Sequence, residues 1–146
     1  NGKTKRMKDL VKENDRIDFY SFVDYGNDSH LEMFVRVTGT NGNCYVFNLV
    51  GNKMYAYALD EDIVSNSSNG YSSFIGLTMG WVKYTFNKKK VNKEVIITEN
   101  LDTSECSYKG ESIDCKNIQD LEIEFLNSIG AIADINRYGE SVDNLA

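Results

Sequence analysis

Three thiols carry most of the chemistry open to this chain. Cys106 and Cys115 bracket a short polar stretch, 107–114, that contains a glycine, and a bond between them would close it as a disulfide. Closing so short a loop contributes roughly 2–3 kcal/mol in the chain-entropy picture and belongs to an oxidising compartment. The same thiols have a rival use. Cys44, Cys106 and Cys115, with His30 or Asp114 as fourth ligand, would meet the tetrahedral demand of a structural zinc, although no close C-x-x-C pair is present. In a third state all three stay reduced and inert. We take the Cys106–Cys115 disulfide as the expectation, with Cys44 free, no metal committed and no cofactor.

Catalytic chemistry finds little to work with. His30 is the single histidine, and no G-x-S-x-G elbow supplies a nucleophile for it. It sits beside a turn and reads as a surface residue. Glu122 and Glu124 would lie on one face of an alternating strand, toward solvent, which leaves them a poor acid–base pair. Asp60, Glu61 and Asp62 lack the spacing and glycine of an EF-hand, and no glycine-rich phosphate loop is present. The chain is therefore expected not to be an enzyme.

Composition narrows the partners. The 146 residues carry a formal charge of −6, which disfavours nucleic acid, whose phosphates require a clustered positive field. The lysines within 3–8 and 88–90 read instead as a helix face and a hairpin tip. No apolar run approaches the length that spans a bilayer, so no membrane contact is expected of this segment. Because the first residue is Asn1, a targeting or anchoring segment is expected to have preceded it.

The elements that must position these residues follow from hydrophobic period. Residues 5–13 carry Leu10 and Val11 among charges, a pattern for a short helix. From Arg16 the pattern becomes β-like. Leu31, Met33, Val35 and Val37 alternate with Glu32, Phe34, Arg36 and Thr38, Asn41-Gly42 signals a hairpin, and Tyr45, Phe47 and Leu49 alternate again before Gly51-Asn52. A meander of about four strands results. The stretch 60–73 is polar and reads as a surface loop. A second β block runs from Phe74 through Val82, Tyr84 and Phe86, and 100–116 reads as a polar excursion. Alternation at 121–125 predicts a late strand, and the tail 127–146 is ambiguous. The chain is expected to be one domain: 1–15 helical, 16–126 β-rich, 127–146 a tail. Tyrosines on the strands, among them Tyr45, Tyr55, Tyr57, Tyr71 and Tyr84, suit a sheet and could also serve a binding face.

Two stretches carry a likeness to a known family. One is 18–26 (Asp-Phe-Tyr-Ser-Phe-Val-Asp-Tyr-Gly) with the strand expected at 31–37. The other is 81–86 (Trp-Val-Lys-Tyr-Thr-Phe) with 89–95 and the later 117–125 (Asn-Ile-Gln-Asp-Leu-Glu-Ile-Glu-Phe). Together their order resembles the soluble headgroup of type IV pilins, especially minor pilins and pseudopilins. The resemblance implies an α+β fold in which a short N-terminal helix packs on a mainly antiparallel sheet. It also implies a role as a structural or adhesive subunit of an extracellular, bacterial cell-surface filament. Partner subunits would be met through a removed apolar helix, of which 5–13 is the remnant. The cysteine-bracketed loop would be the variable region that pilins often close with a disulfide. Surface loops would carry contacts to other subunits or to a host or surface ligand, at Asp60, Asp62, Asn69, Tyr71, Tyr108 and Lys109. Two other roles suit the same chain: a secreted or lipid-anchored binding domain, and a small acidic cytoplasmic immunity protein or inhibitor blocking a basic toxin.

Overall fold

The strands at 32–38 and 44–50 bury residues on both of their faces, which requires more than one layer of structure. The computed structural model describes residues 16–38, 44–67, 69–87, 90–130 and 140–141. Within them the strands form two antiparallel sheets. The first sheet is a meander of β1 (Arg16–Val23), β2 (Glu32–Thr38), β3 (Cys44–Val50) and β4 (Lys53–Leu59), with the short strand Glu140–Ser141 on the far edge of β1. The second runs in sequence order through β5 (Asp62–Asn66), β6 (Tyr71–Ile75), β7 (Thr78–Asn87), β8 (Lys90–Asn100), β9 (Glu105–Tyr108) and β10 (Glu111–Ile113). Among the described residues a single α-helix, α1 (Ile118–Ile129), follows.

One interior joins the two meanders. Phe34, Val46 and Tyr57 of the first sheet cluster with Ile63, Phe74, Val82 and Tyr84 of the second. Each such side chain contributes about 1.5–3 kcal/mol by leaving water. The aromatic rings interlock as well: Phe86 lies 5.0 Å from Tyr25 and 4.8 Å from Tyr57, centroid to centroid. Close approach of backbones needs a residue without a side chain at Gly70. It adopts φ +90°, and a Cβ there would sit 2.8 Å from the Cα of Tyr25.

The outer face of the second sheet depends on a bulge. Trp81 pairs with Ile97 and Val82 with Val95, so Ile96 is the extra residue on β8. Consecutive residues Ile96 and Ile97 are thereby both buried in the cluster that receives the helix.

Four expectations are corrected. The anticipated α+β arrangement, a short N-terminal helix packed on a sheet, gives way to two sheets and a helix near the C-terminal end of the described residues. Residues 1–15, where the N-terminal helix was expected, lie outside the described residues, as do Ile132 and Ile135 of the tail. The strand expected at 121–125 is the middle of α1. Five alternating residues fit either period, and Ile118, Leu121, Phe125 and Ile129 repeat at helical spacing across a longer window. The loop expected at 60–73 is the β5–β6 hairpin. Its Ser65, Asn66, Ser67 and Ser72 are polar but buried, and bond to one another and to neighbours. The excursion at 100–116 contains the β9–β10 hairpin.

A buried polar set ties the start of β2 to the second sheet. The Tyr25 hydroxyl donates to Asn66 Oδ1 at 3.0 Å, and Ser72 Oγ donates to the same oxygen at 2.6 Å. Burial pushes the pKa of the Tyr25 hydroxyl well above its ordinary value. Glu32 is 3% exposed, and its Oε2 accepts the Tyr25 backbone N–H at 3.1 Å. Desolvation holds the Glu32 carboxyl above its ordinary value, against the lowering effect of that N–H. The folded state thus keeps the proton to higher pH than the unfolded chain. Its contribution to stability is complete below the ordinary value of 4.5 and is lost as pH rises through the raised folded value. Glu32→Gln should remove this dependence, so that its Tm gains on the parent's as pH climbs from about 4.5 toward neutrality. Parallel Tm profiles across that range would contradict the assignment.

Candidate functional site

A helix of twelve residues has little stability alone and takes its place from what it packs on. In α1 the apolar residues Ile118, Leu121, Phe125, Leu126 and Ile129 form one stripe, and Phe125 and Leu126 are buried against Trp81, Ile96 and Ile97. Tyr71 meets Phe125 edge-on at 5.3 Å, and Trp81 lies 6.1 Å from the same ring. Both ends are fastened. Before the helix, Cys115 begins a 3₁₀ turn (Cys115–Asn117) and is bonded to Cys106 of β9, with sulfur atoms 2.06 Å apart. At the other end, Asn69 Nδ2 donates to the Ile129 carbonyl at 2.7 Å, satisfying one of the acceptors that a helix C-terminus leaves open. Gly130 then turns the chain at φ 67°.

So fastened, the helix packs across Tyr71, Trp81, Ile96, Ile97 and Tyr108 and leaves one flank of that face open. The result is a groove of about 410 Å³ between α1 and the sheet. Trp81, Met79, Ile75 and Val64 supply apolar surface, and the hydroxyls of Ser65 and Ser73, hydrogen-bonded to each other, lie along the far wall. Glu99 of β8 and Glu122 of α1 bring two carboxylates, and no Lys, Arg or His lines the groove among the described residues. Its floor is backbone at Gly80, where a Cβ would lie 1.8 Å from the Ile97 carbonyl oxygen. A concave, mostly apolar surface with a few polar groups has the character of a ligand site.

Elsewhere the titratable groups serve the fold. The Tyr84 hydroxyl donates to Glu61, whose other oxygen pairs with Lys93 at 2.6 Å. Burial first, then the Glu61 carboxylate, raise the pKa of that hydroxyl far above its usual value, so it stays protonated. At the β1–β2 turn, burial tends to raise the Asp24 carboxyl, but the backbone N–H groups of Asp28 and Ser29 outweigh it and hold the group low.

The residues singled out in the sequence are scattered. Cys44 is buried in the inter-sheet core, its thiol raised chiefly by desolvation. His30 is exposed, with Nε2 3.0 Å from Asn48 Oδ1. Asp114 accepts the Lys116 N–H ahead of the helix. Among the described residues no three His, Cys, Asp or Glu side chains converge as a metal group. Asp60 is exposed in the β4–β5 turn, while Asp62 pairs with Arg36 at 3.2 Å. Asn69 holds the helix end, and Tyr71 packs on Phe125 beneath the Lys83 ammonium. Tyr108 is half-buried beside the helix, with Lys109 Nζ 5.2 Å above its ring. The structure does not gather these residues into one site. Met79, Trp81, Glu99 and Glu122, which do come together, were not anticipated. The one signal for them was the helical spacing of Ile118, Leu121 and Phe125, which would have turned Glu122 from a strand face toward the flank of a helix.

Asn69→Ala should cost about 1 kcal/mol, the worth of one such hydrogen bond. Amide exchange should quicken in the last turn of α1 more than in β8. Equal protection in both variant and parent would remove Asn69 as the fastening.

No family model, curated protein or solved structure matches this chain.

Proposed function

We propose that this chain is a non-enzymatic binding module of an oxidising, extracytoplasmic setting, and that it holds its ligand in the groove between α1 and β5–β7. The observation that carries the reading is the half-covered sheet face. Apolar side chains at Ile75 and Met79 stay 46% and 36% exposed beside a helix that is fastened at both ends and so cannot close over them. Leaving such surface in water is unfavourable unless something else covers it. The bonded Cys106–Cys115 pair is consistent with export. No helix among the described residues is long and apolar enough to cross a membrane. The role of an adhesive filament subunit is a narrower form of the same proposal, adding assembly through an apolar helix that precedes the headgroup in pilins. The cytoplasmic inhibitor would have been favoured by three free thiols, and a bonded pair speaks for export instead.

Trp81 is the single tryptophan and lines the groove, so its emission reports occupancy. A neutral acetylated peptide amide of alternating glutamine and leucine should shift that emission saturably, and its glycine-for-leucine counterpart should not. Replacing Ile75 and Met79 together by alanine should weaken binding about tenfold, because less apolar surface then leaves water when the peptide docks. Absence of binding by any leucine peptide would end the reading. For the compartment, alkylation of the native protein should add no label. Denaturation without reductant should add one, at Cys44, and reduction should raise the total to three, read by intact mass. Three labels without reductant would count against export.

A further inference from the structure

We infer that the groove's occupant is an extended segment of another polypeptide in which leucine-like side chains stand next to lysine or arginine. This rests on the reading of the groove as a binding site and adds the chemistry of what fills it. Charge is the first argument. Glu99 and Glu122 line the groove with no cationic side chain among its described lining residues, and the whole chain carries −6. The nearby N-terminus of α1 offers about half a positive charge through its dipole. Asp120 in the first turn and Glu122 each bring a full negative one. The balance therefore favours a cation.

Extent is the second argument. The groove continues into a strip of exposed apolar residues at the ends of the hairpins: Leu77 is 73% exposed and Leu101 57%, beyond Ile75 and Met79. The Leu101 N–H donates to the Leu77 carbonyl at 2.8 Å, so the two turns that carry them are held together as one surface. A small amine would fill the groove and leave this strip in water. A peptide running along it covers both. The strand β5 is also at the edge of its sheet among the described residues, and its Val64 and Ser65 line the groove.

The test uses three acetylated peptide amides of five residues on the 146-residue chain: leucine alternating with lysine, with glutamine and with glutamate. Dissociation constants come from calorimetry, with Trp81 emission as the local reporter. At low ionic strength the lysine peptide should bind about tenfold more tightly than the glutamine peptide, and the glutamate peptide more weakly still. The preference should shrink as salt is raised. Glu99→Gln combined with Glu122→Gln should erase the preference while leaving the glutamine peptide within about twofold. Glu111→Gln with Glu124→Gln makes the same change in net charge at exposed positions that do not line the groove, and should leave the preference intact. Equal binding of lysine and glutamine peptides would overturn the inference while sparing the groove. The inference also falls if the control pair erases the preference as fully as the groove pair. Failure of all three peptides to bind would overturn the reading of the groove itself.

Discussion

The placement of α1 on the second sheet sets most of what is distinctive in this molecule. Its apolar stripe alone would allow the helix to slide along the sheet, because Trp81, Ile96, Ile97 and Tyr71 present a broad surface. Two fixed points remove that freedom. One is covalent, through Cys106 and Cys115 at the start of the helix, and the other is the Asn69 side chain on the Ile129 carbonyl at its end. The two lie on opposite sides of the sheet order, on β9 and in the β5–β6 turn, so the helix crosses the strands between them. The open flank is a consequence of that crossing.

The inter-sheet core makes a second constraint of a different kind. It is not purely apolar: Tyr25, Asn66 and Ser72 share hydrogen bonds inside it, and Glu32 receives the Tyr25 N–H. Polar groups in such a place tolerate few alternative geometries, because losing one partner strands another. They fix how the β5–β6 hairpin sits against the turn at Tyr25, which in turn fixes where Asn69 is presented to the helix. A chain of contacts thus runs from the first sheet to the far end of α1.

Much of the first sheet was legible in the sequence. Met33, Val35 and Val37 share one face of β2 and pack in one cluster, and Gly51-Asn52 ends β3 where its pattern stops. The cysteine pair was legible too, from the shortness of the loop it encloses. The hairpin at Ser65 and Ser73 was not, because small hydroxyls that bond to each other look in sequence like residues that bond to water. Nor was the helix, since Leu121 to Phe125 alternates over too few residues to separate period two from period 3.6. The groove was invisible for a deeper reason: Met79, Trp81, Glu99 and Glu122 belong to three elements and are ordinary in each. Only the crossing of the helix over the sheet brings them together.

Gly80 gives the groove an asymmetric capacity for change. Its floor is bare backbone packed so closely on the Ile97 carbonyl that no side chain can be introduced there without displacing β8. The rim is another matter, because Ile75, Met79, Gln119 and Glu122 line the groove without belonging to any buried cluster. Substitution can therefore alter width, charge and polarity while depth stays constant. A lineage carrying this fold could diversify what it binds by exchanging a handful of rim residues, with the floor inherited unchanged.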